Sequence, residues 1–216
     1  MYYDCLGGNT YQITLKLYRD CLSDGASFDS PLPVTVFNGL NVQIDYFTIP
    51  FPGSETLDVL FDNPCITFPS DICVEEAVYQ KTVTLPDSPT GYILSYQRCC
   101  RGPAVTNLAD PGDEGLTLQI DIPPTSLAVC NSSARFTNYP PLVLCAGQEL
   151  IFDHSAIDPD GDLLVYELCS PFGGGSSIFP APDPAAPPIY DPVVWAPGIT
   201  ADDPFGAGDL SIDPVT

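Results

Sequence analysis

An all-β fold is predicted by three observations: period-two alternation of apolar and polar residues through the first half, a high density of proline and glycine, and nine cysteines. Side chains on a strand point to opposite faces in turn, so alternation marks a strand with one buried face. Twenty-five prolines and 17 glycines in 216 residues argue for short strands joined by rigid turns, because proline lacks an N–H and has a fixed φ. A hydrophobic fraction of 44% is enough to build real cores. No long helical stretch is visible. The length fits one large β domain or two ordinary ones.

The elements follow in order. Tyr2-Tyr3 is strand-like. Tyr11, Ile13, Leu15 and Leu17 share one face of a strand, with Gln12, Thr14 and Lys16 on the other. Strands at Val34–Phe37 and Val42–Thr48 flank Asn38-Gly39, whose tolerance of the left-handed region suits a tight hairpin, with or without a bulge. Further strands are expected at Leu57–Phe61, Val78–Leu85 and Tyr92–Tyr96, and Leu116, Leu118, Ile120 and Ile122 give the last clean alternation. Seven or eight short strands between Pro- and Gly-rich turns read as an immunoglobulin-like β-sandwich over residues 1–125, with a closed small barrel as the alternative.

Residues 126–141 have linker character. A second β domain over 142–216 is expected to start with strands at Leu142–Cys145, Glu149–Phe152 and Leu163–Leu168. Phe172–Pro188, Gly/Ser-rich and then Pro/Ala-rich, reads as a long surface loop with polyproline character. Val193, Val194 and Trp195 then return to a core strand. The fold class is thus tandem immunoglobulin-like sandwiches, disulfide-stabilised, the second incomplete because the chain stops at Leu210–Thr216 where a strand has just begun. With no export signal at its start, the chain reads as a processed product or an excised piece of something longer.

The cysteines are Cys5, Cys21, Cys65, Cys73, Cys99, Cys100, Cys130, Cys145 and Cys169. None forms a CxxC, and His154 is the single histidine, so zinc and iron–sulfur sites are poorly supported. Disulfides in an extracellular or cell-surface compartment explain the number better. Being odd, it leaves one cysteine free, paired with another chain, or paired outside this segment. A local Cys65–Cys73 bridge is plausible. Cys99 and Cys100, adjacent on a strand, are expected to face opposite sides and find different partners.

Six Lys+Arg against 28 Asp+Glu give a formal net charge of -22. Such a surface repels phosphate backbones, which excludes nucleic acid and acidic membranes as natural partners. No segment is long and apolar enough for membrane insertion. Beyond Arg135 the charge is acidic apart from His154, and divalent cations relieve such self-repulsion. Asp158-Pro159-Asp160-Gly161-Asp162 places three carboxylates at alternate positions around a glycine turn ahead of an apolar run, a pattern suited to Ca²⁺. Asp153 or Glu167 could add ligands. It is not an EF-hand, since the sixth and twelfth places hold Leu163 and Cys169. Asp110-Pro111-Gly112-Asp113-Glu114, Asp202-Asp203 and Asp209 read chiefly as turn or loop acids.

No catalytic motif stands out. Asp153, His154 and Ser155 are neighbours whose side chains diverge on an extended chain, so they form no relay. Nucleophile-elbow, zincin, phosphate-loop and dinucleotide patterns are absent from the sequence. Arg98 and Arg101 bracket the cysteine pair and are expected to pair with carboxylates, or to mark a ligand site. Asn131-Ser132-Ser133 matches a glycosylation sequon.

Three segments together resemble a known family. Cys5–Cys21, Tyr96-Gln97-Arg98-Cys99-Cys100-Arg101 and Phe152–Cys169 look like the amino-terminal region of very large Bacteroidota surface proteins. These are labelled gliding-motility-associated or PKD-domain-containing and are exported by type IX secretion. The second part also resembles cadherin-like and immunoglobulin-like modules with an Asp-x-Asp-Gly-Asp-x-Leu-x-Tyr motif, matched by Asp158, Asp160, Asp162, Leu164 and Tyr166. The resemblance implies calcium stiffening a string of β domains. The expected function is a non-catalytic adhesin or surface-fibre segment whose partners are neighbouring β domains or copies of itself, and surface glycans or proteins. A carbohydrate- or protein-binding module of a secreted protein is the first alternative and a secreted hydrolase the second.

Overall fold

In the computed structural model, described over residues 1–57, 71–143 and 149–206, the ordered secondary structure is entirely β. The strands are β1 (Tyr2–Gly7), β2 (Thr10–Asp20), β3 (Leu32–Asn38), β4 (Gln43–Ile49), β5 (Glu55–Thr56), β6 (Val74–Thr84), β7 (Tyr92–Arg98), β8 (Leu116–Ile122), β9 (Arg135–Phe136) and β10 (Ala156–Ile157). One sheet has the order β1-β2-β6-β5 and another β4-β3-β7-β8, both antiparallel; β9 and β10 make a small third.

The two larger sheets share one core. Tyr11, Ile13 and Leu15 of β2 and Ala77 and Tyr79 of β6 meet Leu32, Val34 and Val36 of β3, Leu94 and Tyr96 of β7, and Ile120 and Ile122 of β8. Burying one such aliphatic side chain is worth ~1.5–3 kcal/mol, against ~0–1 kcal/mol for an exposed ion pair. The inter-sheet layer therefore dominates stability. The alternating faces expected for β2 and β8 turn into this core, with Leu17 and Leu118 half-buried against it, and Tyr92, Leu94 and Tyr96 of β7 join them.

The hairpin at Asn38 forms, with a register shift between Val36 and Phe37. The side-chain oxygen of Asn38 accepts from the N–H groups of Leu40 and Val42, at 3.0 and 3.1 Å. The left-handed residue is Asn41, φ 62°, rather than Gly39. Gly39 serves another purpose: a Cβ there would overlap the Thr90 carbonyl oxygen.

The outer face of the β4-β3-β7-β8 sheet is covered too. Thr35, Ser95 and Gln97 face away from the core yet are buried, because the irregular chain from Phe172 to Val193 lies over them. Their polar atoms are matched: Ala185 N–H donates to Thr35 Oγ1 (2.8 Å), Ala186 N–H to Gln97 Oε1 (2.9 Å), and the Tyr190 hydroxyl to Ser95 Oγ (2.6 Å). Gly115 packs so closely on Gly174 that a Cβ would overlap the Gly174 carbonyl. The Gly/Ser/Pro stretch is thus irregular, as expected, but its inner side forms a third layer. Val193 is buried, and Trp195 bridges Leu108 without forming a longer strand.

Several expectations change. Glu149–Phe152 forms no strand, and over Leu163–Leu168 only Val165 has a bridge assignment. Residues 58–61, Cys145 and residues 207–216 lie outside the described residues, as does Cys65. Part of the expected linker forms β9, and Ser133 N–H donates to Tyr3 O (2.9 Å), tying the segment to β1. Among the described residues there are three disulfides: Cys5–Cys130, Cys21–Cys73 and Cys99–Cys100. Cys73 is therefore joined to Cys21, not to Cys65. The reason is that β2 and β6 run antiparallel, with Asp20 opposite Val74, which brings the two cysteines beside each other just past the pair. The neighbours Cys99 and Cys100 bond to each other, because β7 ends at Arg98 and pleat alternation no longer separates their side chains. Cys169 is exposed and has no disulfide partner among the described residues.

Candidate functional site

The acidic loop singled out in the sequence folds as a self-capped turn. Gly161 takes φ +83°, and Asp158 Oδ1 accepts from the N–H groups of Asp160 (2.8 Å) and Asp162 (3.3 Å). Asp160 Oδ2 accepts from Ser132 N–H at 2.6 Å, so the loop clips the 130–133 segment beside β1. Two of the three carboxylates are thus engaged with backbone N–H groups. Among the described residues no three His, Cys, Asp or Glu side chains are gathered as a metal would require. As placed, Asp158, Asp160 and Asp162 do not form a coordination set.

The other acidic turn has a structural task. Asp113 Oδ1 accepts from Ser177 N–H (2.7 Å), and Glu114 Oε2 from Val194 N–H (3.3 Å), so this turn clamps the third layer. The hydroxyl and N–H of Ser177 hold the Asp113 carboxyl below its usual range. Ser155 and Asn138 do the same for Asp153. His154 stacks on Phe136, ring centroids 4.0 Å apart, with Phe152 at 5.5 Å, and so stands in an aromatic cluster rather than in a relay. Asn131 donates from its amide to the Tyr3 hydroxyl (3.0 Å).

A cavity of about 500 Å³ opens where β2 and β7 end, roofed by the loop that runs from Cys21 toward β3. Leu17, Phe28 and Leu116 supply apolar lining, and the Cys99–Cys100 disulfide forms part of the wall. Three of the six basic residues of the chain, Arg19, Arg98 and Arg101, are here. Their concentration in so acidic a molecule is the reason to look at this place.

Each arginine is already engaged. Arg98 lies 3.2 Å from Asp29 Oδ1, and the Tyr96 hydroxyl donates to Asp29 Oδ2 at 2.8 Å. Arg19 pairs with Glu75 at 2.9 Å and donates to the Ser23 carbonyl at 2.8 Å. Arg101 donates to the carbonyls of Gly115 (3.2 Å) and Phe172 (3.4 Å), and burial lowers its pKa. Burial, then the charge and hydrogen bond of Asp29, pushes the Tyr96 hydroxyl well above its ordinary pKa of 10. The cavity is therefore electrically balanced and rich in oriented donors and acceptors, with apolar side chains between them. Comparison with protein-family models, curated proteins and solved structures found no match to the chain.

Of the site residues expected from sequence, Arg98 pairs with a carboxylate as anticipated, whereas Arg101 turns to backbone carbonyls. Asp29 and Phe28 carry no signal in the sequence, because they reach the cavity only through the return of the chain, whereas Tyr96 stands two residues before Arg98 on β7. The one signal available in advance was the crowding of scarce cations around a cysteine pair.

Among the described residues, no helix is long and apolar enough to cross a membrane.

Proposed function

We propose that this chain is a non-catalytic, extracellular segment of an adhesin or surface fibre, its sandwich immunoglobulin-like, held rigid by disulfides and calcium. The observation that carries the reading is the pair of bridges Cys5–Cys130 and Cys21–Cys73, which join positions 125 and 52 residues apart. Cross-links of such span remove much of the freedom of the unfolded chain, a common device in exported domains. The resemblance of its cysteine-bearing segments to Bacteroidota surface proteins supports the same reading, including export by type IX secretion and contacts with neighbouring domains or copies.

Calcium at the Asp158–Asp162 loop is part of the proposal. It requires Asp158, Asp160 and Asp162 to turn carboxylate oxygens toward one ion, which the N–H bonds on Asp158 Oδ1 and Asp160 Oδ2 leave room for, since each carboxylate has further acceptor capacity. The test is thermal unfolding of the oxidised protein in chelator and across a calcium titration, beside Asp162→Asn, a change that leaves both side-chain clips of the loop intact. A saturable rise in midpoint that the variant loses supports calcium stiffening. Coincident curves for parent and variant remove calcium from the proposal and leave the disulfides as the source of rigidity.

A second reading, a binding module of a larger secreted protein, is favoured by the balanced cavity beside Cys99–Cys100.

A further inference from the structure

From its lining we infer that the cavity between the ends of β2 and β7 is a binding site for a neutral, polyhydroxylated ring of monosaccharide size. The inference deepens the binding-module reading by naming its ligand and does not depend on the fibre reading. Volume comes first: about 500 Å³ lies within the ~300–1,000 Å³ typical of small-molecule sites.

Charge then selects the class. An anion would need a free cationic fork, but Arg98 is committed to Asp29, Arg19 to Glu75, and Arg101 to two carbonyls. It would also approach a molecule of net charge -22. A cationic ligand would need a carboxylate enclosed with it; Asp29 already holds both Arg98 and the Tyr96 hydroxyl, and Asp20, the other lining carboxylate, is exposed and accepts from Leu22 N–H at 2.9 Å. Neutral hydroxyl groups suit such a lining. Each can accept from a guanidinium N–H and donate to a carboxylate oxygen without displacing the pair, since both partners have further capacity.

Shape completes the argument. A pyranose has an apolar C–H face and a polar rim. The cavity sets Leu17, Phe28, Leu116 and the disulfide beside the Arg98–Asp29–Tyr96 array, so one ring could meet both kinds of surface. An aliphatic ligand would leave the polar array desolvated and unmatched, which is costly.

The experiment is saturation-transfer NMR and titration calorimetry on the full oxidised chain. The probes are glucose, galactose, mannose, fucose and N-acetylglucosamine, with glucuronate and glucosamine as charged counterparts. Ser27→Trp, at an exposed position on the rim, fills the cavity without removing a core contact, and Arg98→Gln breaks the polar array. The expected result is binding of at least one neutral sugar, weakened at least tenfold by each variant, with both variants retaining the parent's circular dichroism. If Arg98→Gln fails to fold, Ser27→Trp alone decides. Preference for glucuronate or glucosamine that Ser27→Trp abolishes would keep the cavity as a site and overturn the neutral ligand. Absence of binding by every probe, or sugar binding untouched by Ser27→Trp, would overturn the site itself.

Discussion

Two buried tyrosines of β7 show how one hydroxyl can stabilise and its neighbour not. Tyr96 donates to Asp29, whereas the Tyr92 hydroxyl is buried and has no hydrogen-bond partner among the described residues. Removing a matched hydroxyl costs about 1–3 kcal/mol, because Asp29 is left short of a donor; removing an unmatched one costs nothing. Tyr96→Phe should therefore lower stability by about 1–2 kcal/mol, while Tyr92→Phe should leave it unchanged or raise it by up to ~1 kcal/mol, as read by denaturant unfolding. Alkaline titration extends the argument. Burial pushes Tyr79 and Tyr92 up to about 12 from the ordinary 10. A raised folded-state pKa gives stability that is complete below the unfolded value and is lost as pH climbs through the folded one. Unfolding midpoints should accordingly fall between pH 10 and 12, and the fall should be smaller in Tyr79→Phe than in the parent. A decline of the same size over the same pH range in Tyr79→Phe would contradict this.

At the scale of elements, the third layer is held by clamps that can be tested singly. Gly115 touches Gly174, and any Cβ at position 115 pushes the loop away from Gln97 and Thr117. Gly115→Ala should destabilise by about 1–3 kcal/mol, the usual range for an overpacked contact, and should raise hydrogen exchange at Ala185 and Ala186 ahead of the core strands. Uniform exchange across the sandwich would mean that the layer is not a separate unit. The Cys5–Cys130 bridge fastens the 130–133 segment to β1. Replacing both cysteines by serine should cost about 3–5 kcal/mol, since the closed loop is long. Ser133 Oγ and Ser132 Oγ, which accept from Tyr3 N–H (3.1 Å) and Cys5 N–H (3.2 Å), would retain part of the attachment.

For the molecule as a whole, charge is the dominant long-range term. With -22 on 216 residues, the folded state concentrates repulsion that the unfolded chain dilutes. The melting temperature should rise between about 0.01 and 0.15 M monovalent salt, as the screening length falls from ~30 to ~8 Å. This sets the control for calcium: only stabilisation beyond that of magnesium at equal ionic strength indicates a specific site. A salt-independent melting temperature would show that the acids are spaced widely enough not to interact.

Alternation in the sequence determined the main strands of the first half and the inward faces of β2 and β8, because a two-residue period depends only on local backbone geometry and on hydrophobicity. Composition likewise settled the all-β class and the presence of disulfides. The three-dimensional arrangement alone decided which cysteines meet, since pairing depends on strand register: Asp20 opposite Val74 puts Cys21 beside Cys73. It alone decided that Thr35, Ser95 and Gln97, polar and on the face expected to meet water, are buried under a distant loop. The cavity belongs to the same category. Tyr96 and Arg98 stand two residues apart on β7, but no local pattern joins them to Arg19 and Asp29; the antiparallel packing of two sheets does. Local chemistry is written in neighbours along the chain, whereas a site made of partners across a sandwich exists only once the core has closed.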